Sequence, residues 1–182
     1  MRTDKTKVVC ISGHARSGKD TVAKILHDQL VKDNTEVLIT HYADLLKYIC
    51  KTFFNWNGKK DEQGRTLLQY VGTEVIREKH PDFWVDFIAT ILKDFGVRWD
   101  VVIIPDTRFP NEISRLREYG FDVVHLRIDR LNFSSPLTEE QLKHPSETAL
   151  DNVKPDYLIT NDGDLNNLKD KVMNLITEVL YE

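Results

Sequence analysis

Cysteine is scarce here: Cys10 and Cys50 are the whole complement of a 182-residue chain. Two widely spaced thiols provide neither a disulfide framework nor a metal-ligand spacing, and they read as reduced intracellular cysteines. Glycine and proline are sparse too, at 8 and 6, and neither a low-complexity linker nor an internal repeat is visible. Basic charge is not in excess. Lys and Arg number 25 against 29 Asp and Glu, a formal net charge of −4, which argues against a general grip on nucleic acid. No apolar run approaches membrane-spanning length, and Met1-Arg2-Thr3-Asp4-Lys5 lacks the apolar core of a signal peptide. A cytoplasmic location with no membrane or nucleic-acid partner is therefore the expectation. What is present is an apolar fraction of 41%, enough for one real core, so residues 1–182 are read as a single domain.

Strand-like and helix-like runs alternate. Lys7–Ser12, Glu36–His41, Val101–Pro105, Asp122–Ile128 and Asp156–Thr160 read as buried strands. Gly18–Lys32, Asp44–Phe54, Thr66–Lys79, Phe83–Phe95, Asn111–Tyr119 and Leu165–Leu180 read as helices, with Asn55–Gly64 a loop. In the last helix, Leu165, Leu168, Val172, Leu175, Ile176 and Val179 are expected to face inward. Continuous apolar strands alternating with helices mean an α/β fold, a parallel sheet of about five strands covered by helices on both faces. Ligands in such sheets gather at the carboxyl ends of the strands. Gly13, Asp44, Asp106, Arg130 and Asn161 all fall at that edge.

The densest signal is Gly13-His14-Ala15-Arg16-Ser17-Gly18-Lys19-Asp20-Thr21, with a strand before it and a helix after. This is the G-x-x-x-x-G-K phosphate loop in its required setting. Backbone N–H groups of residues 14 to 19 can curl round a phosphate, and the helix points its positive dipole end at the same anion. Lys19 would reach the β and γ oxygens. Asp20 stands where Ser or Thr usually completes the motif, which leaves the Mg²⁺ ligand open between Asp20, Thr21 and Asp106. Asp106 ends the apolar strand Val101–Pro105, the usual form of the second NTPase motif, though an Asp there also suits a turn or helix cap. No Ser/His/Asp or Cys/His arrangement for nucleophilic catalysis is present. Several arginines lie near the motifs instead, as transfer between two polyanions requires.

Gly13–Ala23, Tyr42-Ala43-Asp44-Leu45-Leu46-Lys47, Leu67-Leu68-Gln69-Tyr70-Val71-Gly72-Thr73-Glu74, Asp106-Thr107-Arg108-Phe109-Pro110-Asn111-Glu112, His144-Pro145-Ser146-Glu147 and Asn161-Asp162-Gly163 occur in this order. On these segments the chain resembles the bacteriophage-type deoxynucleoside monophosphate kinases, a branch of the P-loop kinases related to adenylate kinase. The resemblance spans nearly the whole chain. It implies a three-layer P-loop NTPase fold with an acceptor-binding helical region at about 43–98 and a short lid at about 129–153. It also implies transfer of the ATP γ-phosphoryl group to a deoxynucleoside 5′-monophosphate, with Mg²⁺. Small nucleotides are the implied partners, the host cytoplasm is the location if the chain is phage-encoded, and a homodimer stays open.

Several residue assignments follow, each beside a plainer reading. Arg65, Gln69, Thr73 and Arg77 recur every four residues and trace a stripe along a helix. Arg65 and Arg77 are assigned to the acceptor phosphate and Gln69 to its base or sugar; the alternative is a solvated face with ordinary ion pairs. Small Gly72 and Thr73 would let a ligand approach closely. Asp44 and Lys47 match the family's acceptor-side segment, although Lys47 also suits a surface charge. Arg108 should hold the acceptor phosphate bidentately. Trp84 either stacks on the base or belongs to the core. Arg127 and Arg130 are the candidates for stabilising transition-state charge, with Arg127 equally placed for a structural role inside its strand. Glu147 is assigned to the substrate side through the family's His-x-Ser-Glu, while Ser146 is either a helix cap or part of the site. Asn161 and Gly163 lie where related kinases rest the adenine, and also form a good turn signal. Two other readings remain: a phosphomevalonate-kinase-like enzyme sharing the Gly-Lys-Asp loop, and a non-enzymatic ATP-binding switch without an acceptor site.

Overall fold

The computed structural model describes residues 5–95, 99–131, 133–135 and 137–180, with side chains to 177 in the last helix. Among the described residues there are five strands: β1 (Lys7–Ser12), β2 (Val37–Ile39), β3 (Val101–Ile104), β4 (Asp122–Arg130) and β5 (Tyr157–Asn161). All pair in parallel in one sheet, in the order β2-β3-β1-β4-β5. β1 lies at the centre, with Val8 opposite Val102 on one side and Val123 on the other. The helices are α1 (Lys19–Lys32), α2 (Tyr42–Phe53), α3 (Glu62–Gln69), α4 (Phe83–Phe95), α5 (Pro110–Glu118), α6 (Glu139–Lys143), α7 (Pro145–Thr148) and α8 (Leu165–Leu180). A π-helical segment, Tyr70–Arg77, continues α3.

Alternation along β1 divides the core into two layers, because successive side chains of a strand point to opposite faces. Val8 and Cys10 pack with Val85, Ile88 and Leu92 of α4 and Leu116 of α5. Val9 and Ile11 pack with Val22 and Leu26 of α1 and Leu168 and Val172 of α8. Each such fully buried aliphatic side chain contributes about 1.5–3 kcal/mol at most. The three-layer expectation is met. In α8, however, Leu165 is 63% exposed, since it opens the helix beyond the edge of the layer; Val179 lies outside the described side chains.

Several boundaries differ from the sequence expectation by a residue or more, and some of them have a plain local reason. α2 starts at Tyr42 rather than Asp44, because the Asp106 carboxylate accepts hydrogen bonds from the backbone N–H of Tyr42 (3.0 Å) and Ala43 (2.9 Å). α3 starts at Glu62, inside the expected loop, because the Asp61 side chain caps it by accepting from Gly64 N–H. The described residues of the 129–153 stretch hold more regular structure than its lack of periodicity suggested. β4 runs on to Arg130, paired with Asn161. Thr138 and Gln141 form a reciprocal capping box for α6. The ring of His144, not Ser146, caps α7 by accepting from Ser146 N–H.

Candidate functional site

The phosphate loop needs left-handed backbone at Gly13 (φ 139°) and Gly18 (φ 107°), which glycine adopts without penalty. At Gly13 space is equally restrictive, since a Cβ there would lie 2.2 Å from the Ile128 carbonyl oxygen. Arg16 is also left-handed, at φ 60°. Lys19 is only 8% exposed, and its ammonium donates to the carbonyls of Gly13 and His14, both at 2.7 Å. Burial, and secondarily the Arg108 guanidinium, lower its pKa to about 7. The loop is tied to its surroundings at both ends. The amide of Asn161 donates to Ser17 O at 2.9 Å, and Arg130 donates to Arg16 O at 3.2 Å while covering the Phe133 ring. Ser17 Oγ is buried with no hydrogen-bond partner among the described residues.

Beside the loop, the ends of β2 and β3 bring together Asp20, Asp44 and Asp106. His41 sits between two of them, with Nε2 3.7 Å from Asp20 and Nδ1 3.5 Å from Asp44. Asp20 raises the imidazole's pKa, and Asp106 and Asp44 add to that; His41 in turn holds Asp20 below its ordinary value. Lys47 pairs with Asp44 at 2.7 Å. Lys60 lies within electrostatic reach of Lys47, Asp20, Arg65 and Asp106, and burial, with those cations, lowers its pKa. Neither His41 nor Lys60 was singled out in the sequence. His41 directly precedes the Tyr42-Ala43-Asp44 segment, a position that could have drawn notice, whereas Lys60 carried no signal beyond a polar loop.

The arginines assigned to the acceptor side separate into two kinds. Arg108 keeps a working face. Its Nη1 donates to the Ser146 carbonyl and to Glu147 Oε1, while among the described residues Nε and Nη2 make no hydrogen bond. Arg77 is consumed by architecture. It pairs with buried Glu112, donates to Pro81 O and Asn111 Oδ1, and lies 3.9 Å above the Phe109 ring. Glu112 also accepts the backbone N–H groups of Arg108 (2.7 Å) and Phe109 (3.1 Å), closing the first turn of α5; burial pushes its carboxyl up against the pull of these partners. Much of the Asp106–Glu112 segment is thus scaffold. Arg65 donates to Lys60 O, and Gln69 reaches Gln141 O at 3.5 Å. Thr73 is half-buried in the π-helical segment.

Two expectations are corrected. Trp84 is 4% exposed and its indole N–H donates to Gly72 O at 3.0 Å, so it belongs to the core and presents no face to a base. Gly72 is buried, and a Cβ there would lie 2.8 Å from Leu46. Its small size admits α2, not a ligand.

The comparisons with known proteins meet this geometry. A family model for deoxynucleotide monophosphate kinase matches residues 28–172. The chain belongs to this family. The match begins after the phosphate loop, so the loop and the family assignment are separate observations. Deoxynucleotide monophosphate kinase of Enterobacteria phage T4 is 32% identical over 114 residues, covering 62% of this chain and 44% of the phage protein. An uncharacterised protein of Ictalurid herpesvirus 1, ORF77, is 27% identical over 176 residues, 96% of this chain and 72% of the viral protein. Among solved structures, the Mycobacterium tuberculosis APS kinase in complex with AMPPNP and APS is 14% identical with a TM-score of 0.51, covering 96% of this chain and 99% of that one; at that identity the likeness is one of fold. The chain spans less than half the length of the phage relative. Family membership makes it a phosphotransferase of the nucleotide kinase class.

In this member of the family α6 is fastened to α3: Gln141 is buried and donates to Glu62 O and Thr66 Oγ1. Arg127 lies 11% exposed in β4 with its guanidinium bound to Asp129, Asp151 and Leu150 O. That is a clasp between β4 and the turn after α7, the structural one of its two readings. Arg130 alone of that pair touches the phosphate loop. Gly163 packs against Asn167, and the Asn161–Gly163 turn is held by Lys171, which donates to Thr160 O and Asp162. Among the described residues no helix is long and apolar enough to cross a membrane.

Proposed function

We propose that this chain transfers the γ-phosphoryl group of ATP to the phosphate of a deoxynucleoside 5′-monophosphate, forming the diphosphate. One observation carries the reading: a single carboxylate, Glu147, accepts from Arg108 Nη1 with one oxygen and from the phosphate-loop N–H of Ala15 with the other at 3.1 Å, so the guanidinium is held against the loop that carries Lys19. Two cations gathered in one partly desolvated cleft repel, and an anion between them relieves that repulsion. Lys19 stands on the donor loop and Arg108 on the acceptor side, so the cleft suits two phosphates meeting head to head.

The acceptor phosphate is already ionised at neutral pH, so the protein needs position and charge rather than a strong base. Lys19 exchanges its two carbonyl partners for donor-phosphate oxygens. The Nε and Nη2 edge of Arg108 binds the acceptor phosphate, with Arg65 and Lys60 adding positive charge and Gln69 facing the rest of the nucleotide. Arg130, fixed on the loop at Arg16, balances charge developing in transfer. Asn161 and Gly163 flank the adenine side.

Mg²⁺ is compatible with this donor set. Among the described residues no three His, Cys, Asp or Glu side chains form a dedicated cage, but Mg²⁺ with nucleotides commonly uses one or two carboxylates plus phosphates and water. Asp20, ionised and 90% exposed in its side chain, is the foremost ligand, with Thr21 beside it. Asp106 spends one bond of each oxygen on α2 and would act from behind. When bound, the ion would neutralise charge on the phosphate oxygens during transfer.

Incubating the protein with Mg-ATP and a panel of dNMPs, NMPs and phosphomevalonate, and measuring ADP formed, tests the reading. Turnover should be highest with a deoxynucleotide. Activity with phosphomevalonate alone, or with no acceptor, overturns it.

A further inference from the structure

Glu147 lies at the meeting point of donor loop and acceptor arginine without being part of either. It sits on α7, and its side chain is 6% exposed. Oε1 accepts from Arg108 Nη1, and Oε2 accepts from the backbone N–H of Ala15 in the phosphate loop at 3.1 Å. Both carboxylate oxygens are therefore engaged, one on each side of the cleft. The elements around it are braced as well. The Ser146 carbonyl takes a second bond from the same Arg108 nitrogen. Four residues on, Asp151 binds both Arg127 and His14, the latter at 3.3 Å.

We infer that Glu147 is a positioning residue, which uses the phosphate-loop backbone as a fixed anchor to aim the Arg108 guanidinium at the acceptor phosphate. The inference rests on the kinase reading above. A flexible arginine samples many rotamers, and binding phosphate bidentately requires its planar fork to be held. Gripping Nη1 alone leaves the Nε–Nη2 edge for the ligand, and that division of nitrogens is what the bonds show. The anchor end is a backbone N–H in the phosphate loop, which is itself tied down by Asn161 at Ser17 O and by Arg130 at Arg16 O. With both oxygens engaged and its side chain almost wholly buried, the carboxylate acts through Arg108 rather than by touching substrate. Its negative charge also tempers the repulsion between Lys19 and Arg108, raising the lysine's pKa against the effect of the arginine.

The test is a double-mutant cycle on acceptor kcat/KM, with Glu147→Ala, Arg108→Ala and the double variant, alongside the dissociation constant for ATP. Glu147→Ala should lower acceptor kcat/KM roughly 10- to 100-fold, with ATP binding within about threefold of wild type. The same change made on Arg108→Ala should cost less than about threefold, because the group it aims is gone. Equal losses in both backgrounds would overturn the inference, as would a loss confined to ATP binding. If Glu147→Ala does not fold, Glu147→Gln, which keeps the volume and one accepting oxygen, carries the same cycle with a smaller first step. A wild-type protein inactive on every nucleotide would instead sink the kinase reading, so the two failures are distinct.

Discussion

The donor side and the acceptor side of this cleft are built on different plans. The donor loop is nine consecutive residues, Gly13 to Thr21, whose chemistry is mostly backbone. The proposed acceptor side is assembled from separate pieces: Asp44 and Lys47 on α2, Lys60 and Arg65 around the start of α3, Arg108 before α5 and Glu147 on α7. A contiguous loop carries its geometry in its own torsion angles. A dispersed site depends on which side chain finds which partner, and there similar residues diverge. Arg77 and Arg108 each pair with a carboxylate, Glu112 and Glu147. One is locked into a packing knot by both terminal nitrogens, with only its buried Nε unpartnered among the described residues; the other retains two free nitrogens among the described residues.

The sharpest break of this comparison lies on the donor side. Lys19→Ala should lower kcat by about 10⁴-fold, on the scale of charge-stabilising groups in phosphoryl transfer, with the fold intact by circular dichroism. Retained turnover would mean that the loop's lysine is ornamental. Next comes the knot. Glu112→Ala strands Arg77 and frees the first turn of α5, and should cost about 3–5 kcal/mol in urea unfolding. A stable Glu112→Ala protein with damaged acceptor kinetics would transfer Arg77 and Glu112 from scaffold to site. Arg108→Ala should do the reverse, cutting acceptor kcat/KM about 10- to 100-fold, or about 1.4–2.7 kcal/mol, while leaving ATP affinity unchanged. Unaltered acceptor kinetics would misplace the pocket.

The smallest expected effect concerns protons. With Lys19 near a pKa of about 7, most of the side chain is neutral at pH 8 and most is charged at pH 6. Phosphate oxygens favour the ammonium and raise that pKa. Nucleotide binding should then take up close to one proton at pH 8 and little at pH 6. Calorimetry in buffers of different ionisation enthalpy reads this directly, and equal uptake at both values would separate Lys19 from the donor phosphate.

Much of the architecture was legible early. The five apolar runs and the phosphate loop fell where expected, because continuous burial and a glycine-punctuated turn are local patterns. The losses were tertiary. Trp84 was left open between stacking on a base and the core, and its indole nitrogen satisfies Gly72 O inside the core. The four-residue stripe from Arg65 to Arg77 assumed an even helix, whereas Tyr70–Arg77 widens into π-helical turns. Arg127 and Arg130 are three residues apart and were paired in one role. Strand geometry turned one toward a carboxylate clasp and placed the other on the loop.

By itself the sequence determined the phosphate loop, the alternation that makes a parallel sheet, and the order of segments that marks the kinase family. Those features depend on neighbours in the chain, whose spacing fixes backbone angles and buried faces. Only the tertiary structure decided which arginine meets a ligand and which holds a wall, because that depends on the carboxylate each one finds. Glu112 and Glu147 lie 35 and 39 residues from the arginines they bind, and no local pattern records such a choice.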